Sequence, residues 1–170
     1  MKKTLILILC IVLLGCKEHE VRYTQNSPEI DALKENIKNY NDKNWEALTK
    51  HYADTSKTFF NTRKKGMSTK EIIDYHKAND ENYSNRGFDL SESEYEMVVT
   101  DEGHTWVNFW GDWSATLKGN NKTVNIPVHL TSQFIDGKIV RESGYWDPTE
   151  IVLMLQEMEA AKAVDSTSSE

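Results

Sequence analysis

Apolar residues recur along this chain in two rhythms, and the change from one to the other divides it. Ile30, Leu33, Ile37 and Tyr40 return at helical spacing behind Ser27-Pro28-Glu29. A serine there accepts from free first-turn amides and a proline is preset for the turn, so a helix is predicted to about Asp42. Trp45, Leu48 and Tyr52 continue the period as a second short helix after Asn44, and Thr58 to Asn61 reads as a short strand. Ser68-Thr69-Lys70-Glu71 has the capping-box pattern and opens a third helix, with Ile72, Ile73, His76, Asn79 and Tyr83 near one face. Beyond Arg86-Gly87 alternation takes over. It predicts strands at Glu94–Val99, His104–Leu117 and Thr123–Ile135, with a turn at Gly119–Lys122. Asp136-Gly137 sits between two apolar, β-branched runs and predicts a two-residue hairpin turn, its second strand ending near Trp146. Pro148-Thr149-Glu150 starts a last short helix, Ile151 to about Met158. Helices followed by a run of antiparallel strands give an α+β domain rather than a βαβ one.

The first 15 residues obey neither rhythm. Lys2 and Lys3 precede an apolar run from Leu5 to Leu14, which is short of the ~20 residues a membrane span needs. Leu13-Leu14-Gly15-Cys16 resembles the bacterial lipoprotein signal. That resemblance implies cleavage before Cys16 and acylation of Cys16 with palmitate-type chains. It places the protein in the bacterial cell envelope, lipid-anchored, in the first instance at the outer membrane. Lys17-Glu18-His19-Glu20 is similar to a tag carried by some surface-exposed lipoproteins, although a plain charged tether fits it as well. The expected organisation is a signal peptide over 1–15, a tether over 16–26, one folded domain over 27–158 and a disordered tail over 159–170.

Charge and cysteines narrow the partners. The 170-residue chain carries a net charge of −7, and losing Lys2 and Lys3 with the signal takes it to −9. Such a surface repels phosphate backbones and anionic lipid heads, so no nucleic-acid partner is expected and membrane attachment falls to the lipid. Cleavage also removes Cys10, leaving Cys16 without a disulfide partner. His19, His51, His76, His104 and His129 lack the spacing of a metal motif, and neither a phosphate-binding nor a dinucleotide-binding glycine loop is present. No metal and no cofactor is expected.

The order of elements resembles the NTF2-like, or SnoaL-like, superfamily. The resemblance is carried by Asn44-Trp45-Glu46-Ala47-Leu48 with Tyr52 and Phe59-Phe60, and by Phe134-Ile135-Asp136-Gly137-Lys138-Ile139-Val140. It implies a cone in which helices close over the concave side of a curved antiparallel sheet and leave a pocket. Strict alternation after the turn puts Ile139, Arg141, Ser143, Tyr145 and Asp147 on the concave face with Val128, Leu130 and Ser132. Glu142, His129, Thr131, Gln133 and Lys138 then fall on the opposite face. Arg141 meets either a ligand carboxylate or Asp147 there, or runs its stem along the core and ends in water. Catalytic relatives use inward-facing Asp or His on the late strands. The comparable run here is Arg141-Glu142-Ser143-Gly144, and Leu130 stands where an acid often does. The remaining catalytic candidates are Asp112, Asp147, Tyr52 and His76.

His104 to Trp113 is aromatic on both faces, with Trp106, Asn108, Trp110 and Asp112 on one and Thr105, Val107 and Phe109 on the other. Alternation does not orient this strand, and a bulge at Gly111 would bring Trp113 to the side of Trp110. Three functions stay open. The leading one is a non-catalytic module that binds a small, partly apolar ligand through Trp45, Tyr52, Trp110, Arg141 and Tyr145. The others are an isomerase, hydrolase or dehydratase, and a scaffold that forms a homodimer through the sheet or meets an envelope protein.

Overall fold

The computed structural model describes residues 21–167, so the expected signal peptide, Cys16 and the last three residues lie outside the described residues. Strand β1 (Tyr23–Thr24) leads into helix α1 (Pro28–Asn41) and a short α2 (Trp45–Thr49). Strand β2 (Tyr52–Phe60), helix α3 (Thr69–Asp80) and strands β3 (Tyr83–Phe88), β4 (Glu94–Val99), β5 (Thr105–Leu117), β6 (Thr123–Ile135) and β7 (Lys138–Trp146) follow. Helix α4 (Thr149–Thr167) comes last. The starts of the first three helices hold as their sequences require. Ser27 Oγ accepts from the amide of Ile30 at 3.2 Å, Asn44 Oδ1 from Ala47 at 3.2 Å, and Ser68 and Glu71 complete a reciprocal capping box.

The seven strands form one curved sheet in the order β1-β4-β5-β6-β7-β2, with β3 also paired to β5. Every pairing is antiparallel except β2 with β7, which is parallel. The long β5 serves two neighbours along one edge. Its first half pairs with β4 and its second half with β3. Between them Gly111 lets the chain pass under the ring of Phe109, where an added Cβ would lie 2.4 Å from Cζ. Asp136 and Gly137 adopt φ of 50° and 71°, the doubly left-handed turn that matches strand twist.

The concave face carries the core. Val107, Phe109, Ala115 and Leu117 of β5 and alternate residues of β6 from Val124 to Phe134 are buried against Ile30, Leu33 and Ile37 of α1. A fully buried side chain of this size contributes about 1.5–3 kcal/mol, so this face sets most of the stability.

Several elements depart from the sequence reading. Tyr52 begins β2 instead of closing the second helix, and Tyr83 begins β3, a strand the pattern does not signal. Residues Tyr23 and Thr24, within the expected tether, pair with Met97 and Val98 of β4. Helix α4 continues past Met158 to Thr167, across most of the segment expected to be a disordered tail. No bulge forms at Gly111, which pairs with Val128 in unbroken register, so Trp113 stays on the face of Phe109.

Candidate functional site

The helices close over the sheet's concave face around a cavity of about 290 Å³, lined by α1, α3, the start of α4 and strands β2, β3, β5, β6 and β7. Its walls are largely aromatic, with Tyr40, Tyr52, Phe60, Tyr75, Tyr83, Phe88, Trp113 and Trp146 all contributing. Of the lining residues, Tyr75 and Val152 reach solvent and mark a mouth between α3 and α4. Tyr52, Leu48 and Glu142 are among the buried lining residues.

Glu142 is the residue that strict alternation puts on the wrong side. Phe134 pairs with Ile139 as expected, but Gln133 pairs with Arg141, so Val140 is an extra residue in β7. This β-bulge reverses the faces beyond it. Glu142, Gly144 and Trp146 continue the inner face, and Ser132 lies opposite Glu142. Gly144 leaves room there, since a Cβ would meet Trp146 at 2.9 Å and Leu130 and Phe60 at 3.0 Å. Glu142 is 4% exposed. Tyr52 donates its hydroxyl to one carboxylate oxygen at 3.1 Å, and Ser132 donates to the other at 2.9 Å. Burial raises the proton affinity of the carboxyl, and the two hydroxyls offset this only in part. Burial, followed by the neighbouring Glu142, pushes the Tyr52 phenol well above its ordinary range.

A second polar cluster lies on the wall formed by α1, α3 and β3. Arg86, 6% exposed, donates Nε and Nη2 to the carboxylate of Asp80 at 2.6 and 3.2 Å and Nη1 to the carbonyl of Tyr40 at 2.6 Å. Its guanidinium lies 3.9 Å from the ring centroid of Tyr40 and 5.4 Å from that of Trp45. The Tyr40 hydroxyl accepts from Trp113 Nε1 at 2.9 Å, and burial pushes its pKa up to about 12. His76 sits among Tyr40, Trp45, Phe60 and Tyr75. Burial, then the Arg86 charge, pushes its pKa down to about 4, so the imidazole is neutral at pH 7.

The sequence candidates separate cleanly by position. Tyr52 and His76 line the cavity. Trp45 stacks on His76 with ring centroids 6.0 Å apart and supports the wall from behind. The other three ligand candidates are on the outside. The bulge turns Arg141 outward, where its guanidinium covers Phe59 at 4.5 Å, and Tyr145 outward as well. Trp110 and Asp112 share the outer face of β5 because Val107, Phe109 and Trp113 take the inner one. Asp147 is exposed and accepts from the amide and hydroxyl of Thr149 at the start of α4, which lowers its pKa. Outside, Trp110, His129 and Tyr145 stack in a shallow groove rimmed by Glu92, Glu94, Glu96 and Asp112. Among the described residues no cluster of His, Cys, Asp and Glu could hold a metal ion. The sequence reading missed Glu142, Arg86 and Asp80. A signal for the first was present, since two consecutive apolar residues, Ile139-Val140, break the alternation where the bulge occurs.

Solved structures share this architecture. One is a candidate SnoaL-like polyketide cyclase from Shewanella denitrificans, 18% identical, with a TM-score of 0.60 over 78% of this chain and 99% of the other. The chain has an NTF2-like fold. A second structure that shares this architecture is PrhC from Penicillium brasilianum, 16% identical, with a TM-score of 0.64 over 82% of this chain and 93% of the other. A third, an NTF2-like protein of unknown function from Burkholderia pseudomallei, matches at 12% identity and a TM-score of 0.60, over 75% of this chain and 96% of the other. No family model matches the sequence, and no curated protein matches it.

Proposed function

We propose that this NTF2-like domain binds a small, partly apolar molecule in its conical cavity and is held at the bacterial envelope by a lipid on Cys16. The observation that carries the reading is Glu142. A carboxylate buried in the wall of an aromatic cavity, facing hydroxyls and, among the described residues, no cation, costs stability that a merely structural core would avoid. Pockets of this make-up, apolar walls with a few convergent polar groups, are the usual form of a small-molecule site.

A second reading has one specific observation in its favour. A carboxyl whose proton affinity is raised by burial, with a tyrosine hydroxyl bonded to it, is equipped to move a proton to or from a bound substrate. In that case Glu142, rather than Asp112 or Asp147, is the acid–base group of an isomerase, hydrolase or dehydratase. The acidic rim of the outer groove weighs against a homodimer through that groove, since a two-fold contact would bring Glu92, Glu94, Glu96 and Asp112 against the same acidic rim of the second copy.

Native mass spectrometry of the chain from Val21 onward, purified gently from its host, tests the binding reading. The expected spectrum shows a small-molecule adduct that denaturation releases and that the cavity-filling substitution Leu130→Trp removes. An adduct unchanged by Leu130→Trp, or bare protein throughout, would overturn it. Turnover of the released molecule by wild-type protein and not by Glu142→Gln would establish the enzyme reading instead.

A further inference from the structure

The cavity lining carries two carboxylates, Asp80 and Glu142, against one guanidinium, Arg86. Arg86 is matched by Asp80, whose carboxylate also has Lys43 at 3.4 Å. His76 is neutral above about pH 4. Glu142 alone is left over. Among the described residues it takes part in no ion pair. Its two hydroxyl partners use about two of the roughly four acceptor positions a carboxylate offers.

We propose that the molecule held in this cavity carries an ammonium group, and that Glu142 is its counter-ion. The proposal rests on the cavity-binding reading above and names the ligand's class. An ionised carboxylate in a low-dielectric pocket is stabilised most by a cation brought to it, because the attraction strengthens as water is excluded. The walls suit the same charge. Eight lining side chains are Phe, Tyr or Trp, and aromatic faces attract cations, more so once desolvated. This chain already holds one cation that way, with Arg86 stacked 3.9 Å over Tyr40.

The alternatives fit less well. An anionic ligand would meet Glu142 directly, and Arg86 offers it little net attraction, since Asp80 already pairs its charge and three of its five N–H donors go to Asp80 and the Tyr40 carbonyl. A neutral ligand leaves Glu142 to keep its own proton and gains nothing from the charge. The expected ligand is therefore an amine with one ring or a short chain, its apolar part against Phe60, Trp113 and Trp146.

The charge state of Glu142 gives a second readout. Tyr52 from β2, with Asn36 of α1 behind it, and Ser132 from β6 face the carboxyl directly. His76, Asp80 and Arg86 share the cavity wall. His76 has already lost its proton at about 4, Arg86 holds Asp80 below its ordinary range, and the phenols of Tyr40 and Tyr83 lie at about 12. Glu142 is the wall group whose charge changes above the ordinary glutamate value of 4.5.

Isothermal titration of the chain from Val21 onward, which contains every strand and the whole core, tests this with three probes of one size: 2-phenylethylammonium, 2-phenylethanol and 3-phenylpropanoate. The ammonium should bind at least about tenfold more tightly than the alcohol at about pH 8, and the carboxylate should not bind. Glu142→Gln should bring the ammonium to the level of the alcohol and leave the alcohol unchanged. In wild-type protein, ammonium affinity should rise with pH above the ordinary glutamate value of 4.5 as Glu142 ionises, while alcohol affinity stays flat; this arm needs no variant to fold. Alcohol or carboxylate binding as tightly as the ammonium would overturn the ammonium assignment and leave the cavity reading standing, as would a preference that survives Glu142→Gln. Binding by none of the three would overturn both.

Discussion

A histidine walled in by Tyr40, Trp45, Phe60 and Tyr75 is more stable without its second proton, and the consequence for the protein has a definite sign. The His76 pKa falls from 6.5 to about 4 on folding. A depressed pKa contributes stability that is present above the unfolded value and lost as pH falls through the folded one. The window is therefore 6.5 down to about 4, and the loss is about 3 kcal/mol at ~1.4 kcal/mol per pH unit. Denaturant unfolding at a series of pH values should show that fall, and His76→Phe, which cannot be protonated, should remove most of it. A profile unchanged by the substitution would place the acid sensitivity elsewhere. Glu142 has the opposite sign. Its raised pKa means that stability is lost as pH rises from 4.5 through the folded value. Glu142→Gln should therefore melt several degrees higher than wild type at neutral pH and flatten that limb, on the order of 1–2 kcal/mol, as stabilising changes at functional sites do. A lower melting temperature would mean the carboxylate is a structural keystone instead. These two side chains differ in legibility. His76 is on the helical face its period assigns it, whereas Glu142 is inverted by the one extra residue at Val140. Period-2 reasoning carries no memory of a bulge, so every later residue on β7, Arg141 and Tyr145 included, is assigned to the wrong face.

At the scale of elements, the chain reads well where local chemistry decides and poorly where pairing does. The caps at Ser27, Asn44 and Ser68 and the left-handed turn at Asp136-Gly137 depend on neighbours in sequence, and all four form. Strand β3 depends on β5, and its inward position is filled by Arg86, which breaks the apolar pattern that would reveal it. The ion pair that lets an arginine stand there joins β3 to the end of α3. Removing one partner of such a pair costs about 3–5 kcal/mol because the other charge stays buried. Asp80→Asn should lower stability by about that much, and Arg86→Lys by nearly as much, since an ammonium cannot make the two parallel bonds and stack on Tyr40 as well. Denaturant midpoints check both, and a loss below about 1 kcal/mol would show the pair to be solvated. Helix α4 is the other element set by packing. Ile151, Val152 and Leu155 line the cavity, yet Val152 and Leu153 remain exposed, so the helix closes the mouth without being wrapped itself. Ending the chain after Asp147 should preserve the sheet by circular dichroism and weaken ligand retention about tenfold or more; undiminished retention would put the mouth elsewhere.

At the scale of the whole molecule, the acidic domain and the proposed N-terminal lipoprotein signal would pull in opposite directions at a membrane. A net charge of −7, rising in magnitude when Lys2 and Lys3 are removed, repels anionic headgroups. No described helix is long and apolar enough to cross the bilayer. Attachment, if it occurs, has to be hydrophobic and stronger than the repulsion, which more than one acyl chain on Cys16 would supply. The distance is short. Tyr23, the first residue of β1, lies seven residues beyond Cys16, so a lipid on Cys16 would lie within about 25 Å of that edge of the sheet even with the chain fully extended. Wild-type protein should therefore pellet with membranes, incorporate an alkyne analogue of palmitate and resist washing in about 1 M salt, because salt screens charge and leaves hydrophobic contacts in place. Cys16→Ser should lose the label and accumulate at the precursor mass. Release of wild-type protein by salt, or labelling that survives Cys16→Ser, would show that something other than acylated Cys16 holds the domain at the membrane.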